Sequence, residues 1–138
     1  MKRRFTSELT PRFSDFDMQG IMSSRSYLDF LTEARIDQMG RCYELPIDTY
    51  TKRNQSWVFS AVSLSFISPV VFGMKVLVDT EVVAMEGATA TVDFAFRHST
   101  KDKIFAKGRA TYHLIDLATK RPVDILEEDI EAFLSRPD

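Results

Sequence analysis

The chain has 138 residues, 44% of them hydrophobic and 28% charged, a globular composition sized for a single domain over residues 1–138. Its net charge of −2 argues against a nucleic-acid partner, which would call for a basic surplus. The lone Cys42 excludes an internal disulfide and fits a reducing compartment, and it shares no zinc-type spacing with His98 or His113, so no metal or other cofactor is called for.

The N-terminus, Met1 to Glu8, is basic but has no apolar stretch behind it, so it does not read as a signal peptide. No run approaches the ~18 apolar residues that suggest a membrane span. A soluble, cytoplasmic protein is the expectation.

Phe5, Leu9 and Phe13 alternate weakly with polar residues, which suggests a first strand, and Pro11 places it at a sheet edge or near its own end. After Gly20 the period changes. Tyr27, Phe30, Leu31, Ala34 and Gln38 fall on one side of a 3.6-residue helix that ends near Gly40, with Arg35 and Asp37 directed elsewhere. Ser23, Ser24 or Ser26 can cap it, and Ser26 with Asp29 has capping-box spacing. A polar, irregular stretch runs to about Gln55.

Four strand-like runs follow. Trp57 to Ile67 is apolar on both phases, which suits a strand covered on both faces. Met74 to Met85 turns at Glu86-Gly87 into Ala88 to His98, and Ser99 to Lys103 is a second hairpin loop before Ile104 to Asp116. In this last run the even phase is rich in small residues (Ala106, Gly108, Ala110) and the odd phase carries Lys107, Arg109 and His113. The long helix is expected on the small-residue face. Asp124 and Glu127 have capping-box spacing before a short terminal helix, Ile125 to Leu134. One helix plus one curved antiparallel sheet is an α+β architecture. A helix cannot cover both faces of the sheet, so the far face is expected against a second copy of the chain.

The chemistry concentrates in Phe13-Ser14-Asp15-Phe16-Asp17-Met18-Gln19-Gly20-Ile21-Met22. Two carboxylates can act as base or nucleophile, and a glycine turn leading into a helix start offers free backbone N–H groups. Together they point to chemistry at a carbonyl. On a strand Asp15 would face the same way as Asp17, and the two could share a proton. Alternatively Asp15 is a solvated or hydrogen-bonded turn residue, and Asp17 a turn or capping aspartate.

Arg12 to Met22, followed by Tyr27-Leu28-Asp29-Phe30-Leu31-Thr32-Glu33-Ala34-Arg35 and by Phe66-Ile67-Ser68-Pro69, resembles the hotdog-fold acyl-CoA thioesterases of the 4-hydroxybenzoyl-CoA thioesterase-like group. The resemblance spans nearly the whole chain. It implies a long central helix wrapped by a five-stranded antiparallel sheet, and a homodimer or homotetramer with its active site between subunits. It implies hydrolysis of an acyl-CoA thioester, with an acyl carrier protein as the other conceivable thiol carrier. It further implies that Asp17 is the catalytic carboxylate and that a backbone N–H near Ser24 holds the thioester oxygen. Many relatives carry a histidine where Ser24 stands and an asparagine where Ser26 stands. Backbone donation at Ser24 survives that change.

Gly20, Tyr27 and Phe66 are candidate substrate-binding residues, each with an ordinary turn or core reading beside it. Arg35 reads as structural, pairing with Glu33 or another carboxylate. Lys75, Arg97, Lys101, Lys103, Lys107 and Arg109 supply basic groups that could meet the phosphates of coenzyme A. Cys42 has nothing near it in sequence to activate its thiol. A different class of function, a non-catalytic acyl-CoA or acyl-carrier-protein binder on the same fold, stands as the alternative. A hotdog dehydratase ranks low because no His-Phe-Pro-Gly-like run is present.

Overall fold

The computed structural model describes residues 4–134. Five strands form one antiparallel sheet in the order β1-β3-β4-β5-β2, where β1 is Arg4–Leu9, β2 Gln55–Phe66, β3 Val76–Glu86, β4 Thr89–His98 and β5 Ile104–Asp116. Helix α1, Ser24–Arg41, lies on one face of it. Two shorter helices, α2 (Ile47–Lys52) and α3 (Glu127–Leu134), complete the fold. The expected α+β arrangement, one long helix held by a five-stranded sheet, is present.

The helix-facing side of the sheet is set by the alternation of each strand. Val76, Val78, Thr80 and Val82 of β3, and Ala90, Val92, Phe94 and Phe96 of β4, are all buried. On β5, Ala106 and Ala110 are fully buried in the cluster that receives Tyr27, Phe30, Leu31 and Ala34 of α1, so the helix does lie on the small-residue face. Gly108 is obligatory for a related reason: a Cβ there would sit 1.9 Å from the Ser63 carbonyl oxygen and 2.8 Å from Phe94 Cζ.

Several of the sequence expectations change. The two-phase apolar pattern of β2 does not mean a strand covered on both faces. A bulge between Phe59 and Ala61 shifts the register, so Trp57 and Phe59 pair with helix-side Leu114 and Tyr112, whereas beyond it Val62, Leu64 and Phe66 pair with helix-side Ala110, Gly108 and Ala106. One face is apolar throughout, and the phase switches at Ser60. A register shift between Phe96 and Arg97 likewise puts Phe105, not Ile104, into the core.

Arg35 is not directed away from the sheet. It is buried, and its guanidinium donates to Thr80 Oγ1 at 3.2 Å rather than pairing with Glu33. Thr80 in turn donates to Gln38 Oε1, and Gln38 Nε2 donates to Ser7 Oγ at 3.0 Å. This buried polar chain ties α1 to β1 and β3.

The remaining changes are at element ends. Phe13 belongs to a 3₁₀ turn, Phe13–Asp15, beyond the end of β1. Ser23 takes the N-cap position of α1, and Ser26 is already inside the helix, so the Ser26–Asp29 capping box does not form. The stretch before Gln55 contains α2, and α3 begins two residues later than Ile125. Ile125 is nonetheless buried beside Tyr43, Tyr50 and Phe133, where Asp129 accepts from Arg53 (2.6 Å) and the Tyr50 hydroxyl (3.0 Å).

Candidate functional site

The segment between the 3₁₀ turn and α1 is a tight reversal. Phe16 bridges to Met22, and the Asp17 N–H donates to the Ile21 carbonyl at 2.9 Å. Gly20 closes the turn with φ at 77°, a left-handed conformation that glycine adopts at little cost. Asp17 sits at its start, exposed. Its Oδ1 accepts the N–H groups of Gln19 (2.9 Å) and Ile21 (3.0 Å), as aspartate does in turns of this kind. These bonds fix the carboxylate and leave Oδ2 without a protein donor among the described residues.

Asp15 has a different fate, although it lies only two positions away. It is buried, its Oδ2 accepting the Arg12 N–H at 2.7 Å and its Oδ1 the Ser26 hydroxyl at 3.0 Å. Its carbonyl accepts the Ser23 N–H at 2.7 Å. Asp15 therefore anchors the start of α1 as a hydrogen-bonded turn residue. It is not on a strand, and the two carboxylates do not face the same way. No short motif reveals the Asp15–Ser26 bond, because the two residues are brought together by the turn itself.

At the N-terminus of α1, the Ser26 N–H turns back to the Ser23 carbonyl at 3.0 Å. Ser24 is the first helical residue, where an N–H has no intrahelical acceptor and the positive end of the helix dipole lies. Ser24 opens on a groove of about 310 Å³ lined by Ile21, Met22, Tyr27, Phe66, Ile67 and Pro69 among others. Met22 is held there by its N–H to the Val70 carbonyl at 2.9 Å. The Ser68 hydroxyl, also at the groove, is committed to the Ile104 carbonyl at 2.9 Å.

Of the predicted site residues, Ser24, Tyr27 and Phe66 line this groove, while Asp17 and Gly20 form the turn that leads into it. Tyr27 is buried and packs edge-on against Phe66 (5.1 Å between ring centroids) and Phe96 (5.2 Å). Burial pushes its hydroxyl pKa up, so it stays neutral at ordinary pH. Phe66 is more than half exposed on its other side. Beside the turn, Phe72 packs edge-on against Phe13 and Phe16. Ile21, Met22 and Ile67, all within the segments that carry the resemblance, also line the groove.

The basic side chains divide. Arg97 pairs with Asp79 at 2.6 Å and Arg109 with Asp93 at 2.5 Å on the face of the sheet away from α1. In each case the bonded carboxylate raises the guanidinium pKa. Lys101 and Lys103 lie in the exposed β4–β5 hairpin, where His98 Nδ1 accepts the N–H groups of Thr100 and Lys101. Cys42 is the C-cap of α1 and packs partly buried at the far end of the helix. Among the described residues, no three His, Cys, Asp or Glu side chains converge as metal ligands, and no helix is long and apolar enough to cross a membrane.

Comparison with known proteins accords with this architecture. The family model of the thioesterase-like superfamily matches residues 11–134. No curated protein gives a significant match. Among solved structures, the chain is similar to a 1,4-dihydroxy-2-naphthoyl-CoA thioesterase from Synechocystis, with a TM-score of 0.85 at 16% identity over 95% of this chain and 96% of that one. It is also similar to a DHNA-CoA thioesterase from Staphylococcus aureus (TM-score 0.82, 16% identity, 88% and 80% covered). A further Staphylococcus aureus protein, solved in complex with CoA, superposes with a TM-score of 0.84 at 11% identity over 100% of this chain and 88% of that one.

Proposed function

We propose that this chain, which belongs to the thioesterase-like superfamily, hydrolyses an acyl-CoA thioester at the Asp17 turn and the N-terminus of α1. The observation that carries the reading is a juxtaposition. A carboxylate fixed through one oxygen by two backbone N–H groups stands at the start of the turn that feeds a helix N-terminus, and that terminus opens on an apolar groove.

The chemistry needs an attacking group and a stabilised oxyanion. Asp17 Oδ2 either attacks the thioester carbon itself or takes the proton of an attacking water. In the first route the C–S bond breaks to give a mixed anhydride, which water then hydrolyses. In the second, hydroxide adds directly, the C–S bond breaks, and the departing thiolate is protonated. In both, negative charge grows on the thioester oxygen. In this reading the Ser24 N–H and the positive end of α1 receive that charge, and one such donor is typically worth about 10²–10³ in rate. The acyl group lies along Met22, Tyr27 and Phe66.

The site is completed by a second copy of the chain. β2 is a sheet edge, and Phe13, Met18, Phe66, Ile67 and Phe72 are exposed apolar side chains around the turn and groove, a surface that favours burial against a partner. A homodimer or homotetramer with the site between subunits is the assembly proposed. Lys101 and Lys103 are available for the phosphates of coenzyme A.

One observation favours a second reading, a non-catalytic acyl-thioester binder: the hydrogen bonds of Asp17 serve its own turn. A thiol-release assay over short, long and aromatic acyl-CoAs separates the two. Turnover of at least one class supports hydrolysis. Tight binding without turnover supports the binder. Light scattering on the eluting protein tests the assembly, and a stable monomer contradicts it.

A further inference from the structure

The loop between β2 and β3, residues 67–75, serves both halves of the site. Its first residues, Ile67, Ser68 and Pro69, wall the groove. They are tied to the start of β5, the Ile67 and Ser68 N–H groups donating to the Phe105 carbonyl at 2.8 and 3.1 Å. Val70, fully buried, fixes the middle of the loop in the core. The loop then meets the Asp17 turn. Val71 bridges to Ile21, and the Val70 carbonyl accepts the Met22 N–H at 2.9 Å.

The turn needs that support. Its two arms, joined by the Phe16–Met22 bridge, form a small hairpin outside the five-stranded sheet, and an isolated hairpin is only marginally stable in water. Phe72 supplies a further contact. Although 62% exposed, its ring packs edge-on against Phe13 and Phe16, at 6.0 and 5.4 Å between centroids. Phe16 is the covalent neighbour of Asp17, and Phe13 opens the 3₁₀ turn that ends at Asp15. One ring therefore holds both ends of the segment that leads into the carboxylate. Phe72 does not line the groove, so its effect on an acyl group lying there passes through the turn. A side chain this exposed adds little to the core. Its worth lies in the ring contacts with the turn.

We propose that Phe72 is a positioning residue for Asp17. Its ring clamps Phe13 and Phe16, holds the hairpin against the β2–β3 loop, and so keeps the carboxylate in register with the groove that the same loop walls. A displacement of about 1 Å can cost about 10²-fold in rate. The catalytic consequence rests on the reading of Asp17 as the acting group, whereas the clamp itself does not.

Amide hydrogen exchange on the full-length protein reads the clamp without substrate. The Asp17, Ile21 and Met22 N–H groups report it, since they donate to the Ile21 carbonyl, to Asp17 Oδ1 and to the Val70 carbonyl. Phe72→Ala is expected to speed their exchange by about tenfold and to leave that of Leu31 in α1 unchanged. The melting temperature and the mass by light scattering are expected to stay as they were. Thiol release, from whichever of hexanoyl-CoA and benzoyl-CoA is turned over, is expected to lose about 10–10²-fold in kcat with KM unchanged. Phe72→Tyr, which keeps the ring, is expected to match the unmodified chain in both exchange and kcat. Unchanged exchange at the three amides overturns the proposal. So does a rise in KM with kcat held, which would put Phe72 on the substrate, or a change in mass, which would make it an assembly residue. Faster exchange with kcat undiminished in Phe72→Ala but lost in Asp17→Asn overturns the positioning role. Faster exchange with kcat undiminished in both variants sinks the reading of Asp17 and leaves the clamp standing.

Discussion

The two ends of helix α1 are built on different terms. At its N-terminus the surroundings are open: Asp17 is exposed, Met18 is fully so, and Phe13, Phe66 and Phe72 present apolar surface. At its C-terminal half the surroundings are closed by α2 and α3, with Tyr43, Tyr50 and Phe133 buried and Asp129 satisfied by Arg53 and Tyr50. Exposed apolar surface costs stability that the closed end supplies. A fold arranged in this way can leave one end unfilled for a substrate or a partner subunit, because the other end holds the helix in place.

The comparison predicts that changes at the open end alter activity and leave stability, and that changes at the closed end do the reverse. After loss of the Asp17 carboxylate itself, the largest effect is expected from Ser24→Pro. Ser23 already has φ −65° and ψ 144°, the conformation that precedes proline, and proline is favoured at the first helical position. The helix survives and the N–H is lost, so thiol release should fall by about 10²–10³ with little change in melting temperature. Ser24→Ala keeps the N–H and should keep the rate.

Asp129→Ala should act in the opposite sense. It strands the Arg53 charge and the Tyr50 hydroxyl, at a cost of about 3 kcal/mol. That is the low end for a broken buried pair, since the Arg53 side chain remains 28% exposed. Urea denaturation reads the loss, and acyl-thioester turnover by the folded fraction should be unchanged. Gly108→Ala should cost about 1–3 kcal/mol by overpacking, because the new methyl group meets backbone at Ser63. A shift in the urea midpoint measures it.

The smallest effect concerns acid. Arg41 hydrogen-bonds Asp37 and holds its carboxyl pKa below the ordinary value. The folded state therefore binds that proton less readily than the unfolded state. The stabilisation is present above the unfolded carboxylate range, near about pH 4, and is lost as pH falls through the depressed folded value. The pair is largely exposed, so its contribution is about 0.3–0.5 kcal/mol. Asp37→Asn should cost that amount at neutral pH and flatten that part of the acid-unfolding curve.

How much of this could be read in advance depended on whether the signal was local. Helix α1 and strand β5 from Ala106 onward follow from periodicity, because Ala106, Gly108, Ala110, Tyr112 and Leu114 repeat on one face of the strand. The β2 pattern misled because a one-residue bulge at Ser60 moves the inward face from odd to even positions, and a bulge has no reliable sequence mark. Arg35 misled because charge argues for solvent, whereas its partner Thr80 lies 45 residues away on β3. Helix α2 was missed because Ile47 to Lys52 makes little more than one turn and owes its place to Tyr50 packing against Trp57. In the candidate site, the turn, Gly20 and the helix start were legible. The separation of Asp15 from Asp17 was not, since it rests on the 3₁₀ turn and on the hydroxyl of Ser26.

The central claim is that Asp17 acts on substrate and is not only a residue of its own turn. It is tested most directly by measuring thiol release and thermal unfolding on the same preparation of Asp17→Asn. The asparagine side chain retains an oxygen that can accept from Gln19 and Ile21, so the turn should persist and the melting temperature should stay where it was. Loss of the carboxylate should lower the rate by about 10²–10⁴. Undiminished thiol release in a folded Asp17→Asn would contradict the account and return Asp17 to the turn.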